Sequence, residues 1–253
     1  MDSLLRITDL TGQEFALLFG IVVMAGIVRG FSGFALSAMI MATAVIILPP
    51  IELIPMLWWL EMSASILMLK GGWADADRGT TIGLVVGSTL GWPLGLWLTL
   101  SLPGETSKVV ALSVIIALAV SQLAQLKMAF LTTRPGLYGA GILAGVVSGL
   151  AHVGGMVVAL YVLSSDAPAK QMRGSLVLFL FLGSITSMIT LLAFGVMDFS
   201  GVARGLVFAV PTLLGVYLGQ KLFTPALARY YRPFCLALLC ALAGAGLIRT
   251  TLS

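Results

Sequence analysis

Residues 15–48 form one apolar run of 34 residues, broken only by Arg29-Gly30-Phe31-Ser32-Gly33 near its centre. As a single helix at 1.5 Å per residue it would be roughly 51 Å long. The hydrocarbon core of a bilayer is only about 30 Å thick. One straight helix is therefore too long, and the chain is expected to break at residues 29–33. Glycine there frees the backbone from the helix. Unwound backbone at membrane depth is tolerated only where it is buried in protein or lines a wet cavity. The stretch is thus a candidate ligand site. The plainer reading is a close helix–helix contact through small residues.

Composition makes the membrane setting firm. The chain is 59% apolar and 9% charged, with a mean hydropathy of +1.09. Long apolar runs in that balance mean a polytopic membrane protein. The net charge of +4 carries no basic cluster, so no nucleic-acid partner is expected. Cys235 and Cys240 lie five apart in one apolar segment and read as packing residues. With a single histidine, His152, and no His/Cys/acid cluster, no metal or other cofactor is expected. The first apolar run lacks a charged start and a cleavage site, so it reads as mature protein.

The remaining spans are predicted at 51–69, 80–102 and 108–126, with a polar midpoint near 127–136. The pattern then recurs. Ala144-Gly145-Val146-Val147-Ser148-Gly149 matches Ala25-Gly26-Ile27-Val28-Arg29-Gly30 at an offset of 119, as Pro168 matches Pro49. Gly215, Gly219 and Arg232 match Gly91, Gly95 and Lys108 at an offset of 124. This is the signature of a duplication. The first repeat is 1–130. The second is 131–253, with a run at 137–163 broken at 148–155, then spans at 173–195, 203–222 and 232–249.

Charge decides how the broken runs thread. If each run crosses the membrane once, the Lys and Arg residues outside the break divide seven against six. If each turns back at its glycines, they divide four against nine, with Arg6, Lys108, Arg204 and Arg249 on the poorer side. Positive loops stay cytoplasmic, so the hairpin threading is favoured. Each repeat is then a broken or re-entrant hairpin plus three transmembrane helices. The two repeats are inverted, and both termini lie outside the cytoplasm. Arms of about 14–15 residues, roughly 21–23 Å each, bring the two tips toward the midplane. Glycine-interrupted segments in corresponding places of two inverted halves are the best sequence pointer to a transporter's binding site. The expected fold is an all-α polytopic membrane protein acting as one transport domain.

Arg29-Gly30-Phe31-Ser32-Gly33-Phe34, the later Ser148-Gly149 and Gly154-Gly155, and Arg173 opening the next helix resemble the TauE/SafE sulfite exporter family. The resemblance covers nearly the whole chain, including the two-copy layout. It implies a multi-pass carrier, in the inner membrane of a cell, for sulfite or an organosulfonate such as sulfoacetate.

Free N–H groups at the start of each second arm, near residues 32–34 and 154–156, would make an anion site from neutral backbone. The hydroxyls of Ser32 and Ser148 add donors. Arg29 is costly in a membrane and therefore a candidate ligand; its fork suits a sulfur oxyanion. The alternative is that it caps the first arm or pairs with Glu61. His152, inside the second break, is a candidate for anion binding or proton relay. Glu61 sits mid-span and has no acidic counterpart, since the offset lands on Leu180. It must be protonated or paired, which makes it a proton-coupling candidate. Arg173 reads as an anion ligand at the cytoplasmic mouth or as an orientation anchor. One or two of Trp58, Trp59, Trp92 and Trp97 are candidates to line the cavity. The leading function is proton-coupled secondary transport of the anion, and the alternative is a passive anion channel or a carrier of another small organic anion. An enzyme would need an acid pair, a nucleophile beside a base, or a metal cluster, and none is apparent.

Overall fold

In the computed structural model, residues 2–124, 133–163 and 167–222 are described, with isolated positions 224, 237, 240, 241, 244 and 248 beyond them. The expected last span, 232–249, lies outside the described residues apart from those positions, as do Cys235 and most of the expected midpoint loop. Every regular element among the described residues is a helix. They are α1 (Asp2–Thr8), α2 (Gly12–Ser32), α3 (Leu36–Ala44), α4 (Pro50–Asp75), α5 (Arg78–Ser101), α6 (Gly104–Leu123), α7 (Arg134–Ala151), α8 (Gly154–Leu163), α9 (Ala169–Ala193) and α10 (Phe199–Lys221). Six of them, α2, α4, α5, α6, α9 and α10, are long and apolar enough to cross a membrane.

Both long runs break, but not into equal arms. The first gives a 21-residue α2 and a 9-residue α3; the second gives an 18-residue α7 and a 10-residue α8. Two causes lengthen α2. A capping box between Thr11 and Glu14 starts it at Gly12. At the other end Gly30 stays helical, because α10 packs against it. Of residues 29–33 only Gly33 leaves the helix, at φ +82°, a conformation that favours glycine, and Ala35 two residues on is left-handed too, at φ +75°. Ahead of the first apolar run lies α1. The expected loop at 70–79 shrinks to two residues, because α4 runs on to Asp75 and Asp77 caps α5 by accepting from the Thr80 N–H at 3.1 Å. The other described spans begin two to four residues before their apolar windows, since capping turns are polar.

The packing follows the recurring pattern of the sequence. The hairpin helix of each copy lies on the third helix of the other: α2 on α10, and α7 on α5. A Cβ on Gly26 would strike the Thr212 carbonyl, and one on Gly145 the Ser88 carbonyl. Gly30 meets Val216 as Gly149 meets Trp92; Gly219 meets Ile27 as Gly95 meets Val146. Each of these contacts maps onto its counterpart at the offsets of 119 and 124. Small residues let two helix backbones touch, which is how helices associate without a hydrophobic driving force. The middle helices of the copies, α4 and α9, pack on each other.

The helix ends sort into two groups. Arg204, early in α10, donates to the Thr8 carbonyl (2.7 Å) and to Glu52 at the start of α4 (2.9 Å). The starts of α2, α4 and α10 therefore share one end of the bundle. At the other, Asp75 at the end of α4 pairs with Lys170 of α9 at 3.1 Å, and the Asp77 N–H donates to Ser175 at 3.0 Å. Gly83, in the second turn of α5, meets Leu137 of α7. So α2 and α3 together return to the end where α2 began, and α7 and α8 return to theirs.

Candidate functional site

Arg29 occupies the last turn of α2 and is completely buried. Its Nη1 donates to the Gly33 carbonyl, which closes the C-terminal end of α2. Nη2 donates to Ser65 Oγ at 2.9 Å, and Nε lies 3.2 Å from Glu61 Oε2. The guanidinium is thus committed to groups of the protein. Both alternatives raised for it in the sequence, the cap and the Glu61 pair, are realised together. Arg173, the fifth residue of α9, braces the same turn by donating from Nη2 to the Gly30 carbonyl at 2.7 Å, and its stem packs on Gly33.

Glu61 lies mid-way along α4, 2% exposed. Its Oε1 accepts from the Ser37 hydroxyl at 2.8 Å and from the Ser37 N–H at 3.3 Å. Ser37 stands in the first turn of α3 and also lies 3.2 Å from His152 Nδ1. The hydroxyl has one proton, and Glu61 takes it. Ser37 must therefore accept from Nδ1–H, which assigns the tautomer and leaves Nε2 to accept a proton. A continuous polar chain, Arg29–Glu61–Ser37–His152, thus joins the first hairpin to the second through α4.

His152 holds the turn between α7 and α8 at φ +56°. It is the counterpart of Gly33 at the 119 offset, so an imidazole sits where the first copy has a glycine. The left-handed region costs a non-glycine residue about 1–2 kcal/mol. Trp92 of α5 meets the ring edge-on, centroids 5.8 Å apart. Both line a small cavity of about 20 Å³, room for one water. Glu61, Ser88, Ser148, Gly154 and Ser184 complete much of its wall.

The other candidates divide by position. Ser148, His152 and Gly154 line the cavity. Gly155 is set against Leu180, another lining residue. Gly30 and Gly149 serve the helix crossings described above. Ser32 points back into its own turn, its hydroxyl 2.8 Å from the carbonyls of Val28 and Phe34. Phe31 and Phe34 are buried in the core. Of the tryptophans, Trp92 lines the cavity, Trp58 donates to the Ser184 carbonyl at 2.8 Å, and Trp97 is exposed on the bundle's exterior. Ser37, Ser65, Ser88, Ser184 and Ser187 were not foreseen. One signal was available: Ser65 and Ser184 stand at the same 119 offset as the broken runs.

Residues 18–246 match the family model described as sulfite exporter TauE/SafE. The comparisons with curated proteins and with solved structures gave no significant match.

Proposed function

We propose, from the premise that the chain belongs to the sulfite exporter TauE/SafE family, that it is a secondary transporter of a small sulfur-containing anion, driven by the proton gradient. The family is one of membrane transporters, and this is a multi-pass membrane protein. The finer reading is that the substrate is sulfite or an organosulfonate such as sulfoacetate. It is bound where the second break faces the first hairpin, in the inner membrane of a cell. The repeats are inverted, with the richly basic loops in the cytoplasm. The grouping of helix starts at opposite ends supports inversion, and the described charges sort the same way. Arg6, Lys108 and Arg204 belong to one end; Lys70, Arg78, Arg134, Lys170, Arg173 and Lys221 belong to the other.

The observation that carries the reading is the buried chain Arg29–Glu61–Ser37–His152 beside a polar cavity. An intramembrane chain of ionisable groups is costly, and proton relays in carriers are built this way. A proton taken at His152 Nε2 changes the charge at the cavity wall and is felt at Glu61 through one hydroxyl. Binding of anion and proton are thereby linked.

The test is sulfite uptake into proteoliposomes with and without an imposed pH gradient. The gradient should drive accumulation, and a protonophore should collapse it. Glu61→Gln should lose gradient-driven accumulation and keep sulfite–sulfite exchange. Uptake no faster than in protein-free liposomes would refute the transport reading. Accumulation by Glu61→Gln equal to wild type would make Glu61 structural.

A further inference from the structure

We infer that the anion site is one-sided: it is the cavity beside the second break, while the equivalent space beside the first break is occupied by the Arg29 side chain. This rests on the transport reading above and adds to it which half binds.

The cavity wall can be laid on the first copy residue by residue. At the offset of 119, Ser148 corresponds to Arg29, Leu180 to Glu61, Ser184 to Ser65, His152 to Gly33 and Gly154 to Ala35. On the partner helices, Ser88 and Trp92 of α5 correspond to Thr212 and Val216 of α10 at the offset of 124. In the first copy the guanidinium touches Gly33, Glu61 and Ser65. Those are the counterparts of His152, Leu180 and Ser184, all of which line the cavity. The cavity is therefore the space that an arginine fills in the other half. Serine at position 148 is what opens it.

The chemistry of the open half fits an oxyanion. Hydroxyls of Ser88 and Ser148 face it, with the His152 ring and the first turn of α8, whose backbone N–H groups are not all used within the helix, while Ser184 lines it but spends its proton on the Leu180 carbonyl at 2.7 Å. One carboxylate also lines it, Glu61, and this is already met by Arg29 and Ser37. No lysine or arginine side chain lines the cavity. Neutral donors hold a single negative charge at less desolvation cost than two. The ligand class is accordingly a compact, singly charged sulfur oxyanion, such as hydrogen sulfite.

The experiment is sulfite binding to the purified full-length protein, by calorimetry and by thermal shift, with chloride as control. Ser88→Ala should weaken sulfite binding at least fivefold. Its first-half counterpart, Thr212→Val, should leave affinity within twofold. Ser148→Arg combined with Leu180→Glu rebuilds the first-half ion pair in the second half and should abolish binding in a folded protein. If that double variant does not fold, the Ser88 and Thr212 pair decides. Equal effects of Ser88→Ala and Thr212→Val, or wild-type binding by a folded Ser148→Arg/Leu180→Glu protein, would overturn one-sided binding while leaving transport intact. A wild-type protein with no sulfite response would overturn the transport reading and this one with it.

Discussion

Replacing Arg29 by methionine removes a wholly buried guanidinium and leaves Glu61, which had faced it at 3.2 Å, without its partner. Methionine keeps an unbranched stem, so the packing along α2 changes little. At 3.2 Å the two charges attract by about 5 kcal/mol at an effective dielectric of about 20. Taking both ions out of water offsets much of that, and the intact pair adds little net stability. Losing one partner is different. The stranded charge keeps its desolvation cost, and about 3–5 kcal/mol is lost. The bonds to the Gly33 carbonyl and to Ser65 go as well, each worth about 1 kcal/mol or somewhat more. Arg29→Met is expected to destabilise by about 4 kcal/mol or more. Glu61→Gln strands the guanidinium but keeps an amide oxygen to accept from it, so about 2–3 kcal/mol is expected. The double variant strands nothing. It should fall short of the summed losses by about 2 kcal/mol, within the range for residues in one network. The assay is equilibrium unfolding of the four proteins by SDS in mixed micelles, followed by circular dichroism. Single losses that add to within about 0.5 kcal/mol would refute the pairing, since that is how independent sites behave.

Three further outcomes are expected. His152→Gly relieves the left-handed backbone at φ +56° and should leave stability unchanged or raise it by about 1 kcal/mol, while the pH dependence of uptake disappears; a loss of stability with the pH profile intact would place the ring in a packing role. Gly219→Val and Gly95→Val occupy matching positions at the two helix crossings and should each lower stability by about 1–3 kcal/mol or more, whereas Gly20→Ala, with no neighbour within 4 Å, should raise it by up to about 1 kcal/mol. Single cysteines at Arg6 and at Asp77 should react with an impermeant reagent from opposite sides of the membrane; labelling from one side would break the hairpin threading.

Charge bears on threading: the split of four against nine favours a hairpin over a straight crossing. The bonds from Arg204 to Thr8 and Glu52 tie the start of α2 to the start of α4, as such a hairpin would need. The lengths of the arms were less legible. Gly30 reads as a helix breaker in isolation. Yet it is helical here, because the α10 backbone lies where its side chain would be. Propensity is a local quantity, and the contact that overrides it comes from a residue 186 positions away, at Val216.

The amino-acid sequence alone determined the membrane class, the recurring pattern, the two breaks and the short set of polar residues inside them. All of these are properties of neighbours along the chain or of a fixed offset, so pattern suffices to find them. Tertiary structure decided what those residues do. Arg29, read as an anion ligand or a cap, is spent on Gly33, Ser65 and Glu61. Ser37, which no motif marked, joins Glu61 to His152 across 115 positions of sequence. Ser148, read as a hydroxyl donor at the second tip, stands where the first copy has arginine, and in the folded bundle it lines the cavity. A buried charge must find a partner wherever the fold places one. Its partner is set by which helices cross at its depth, and that is absent from any local pattern.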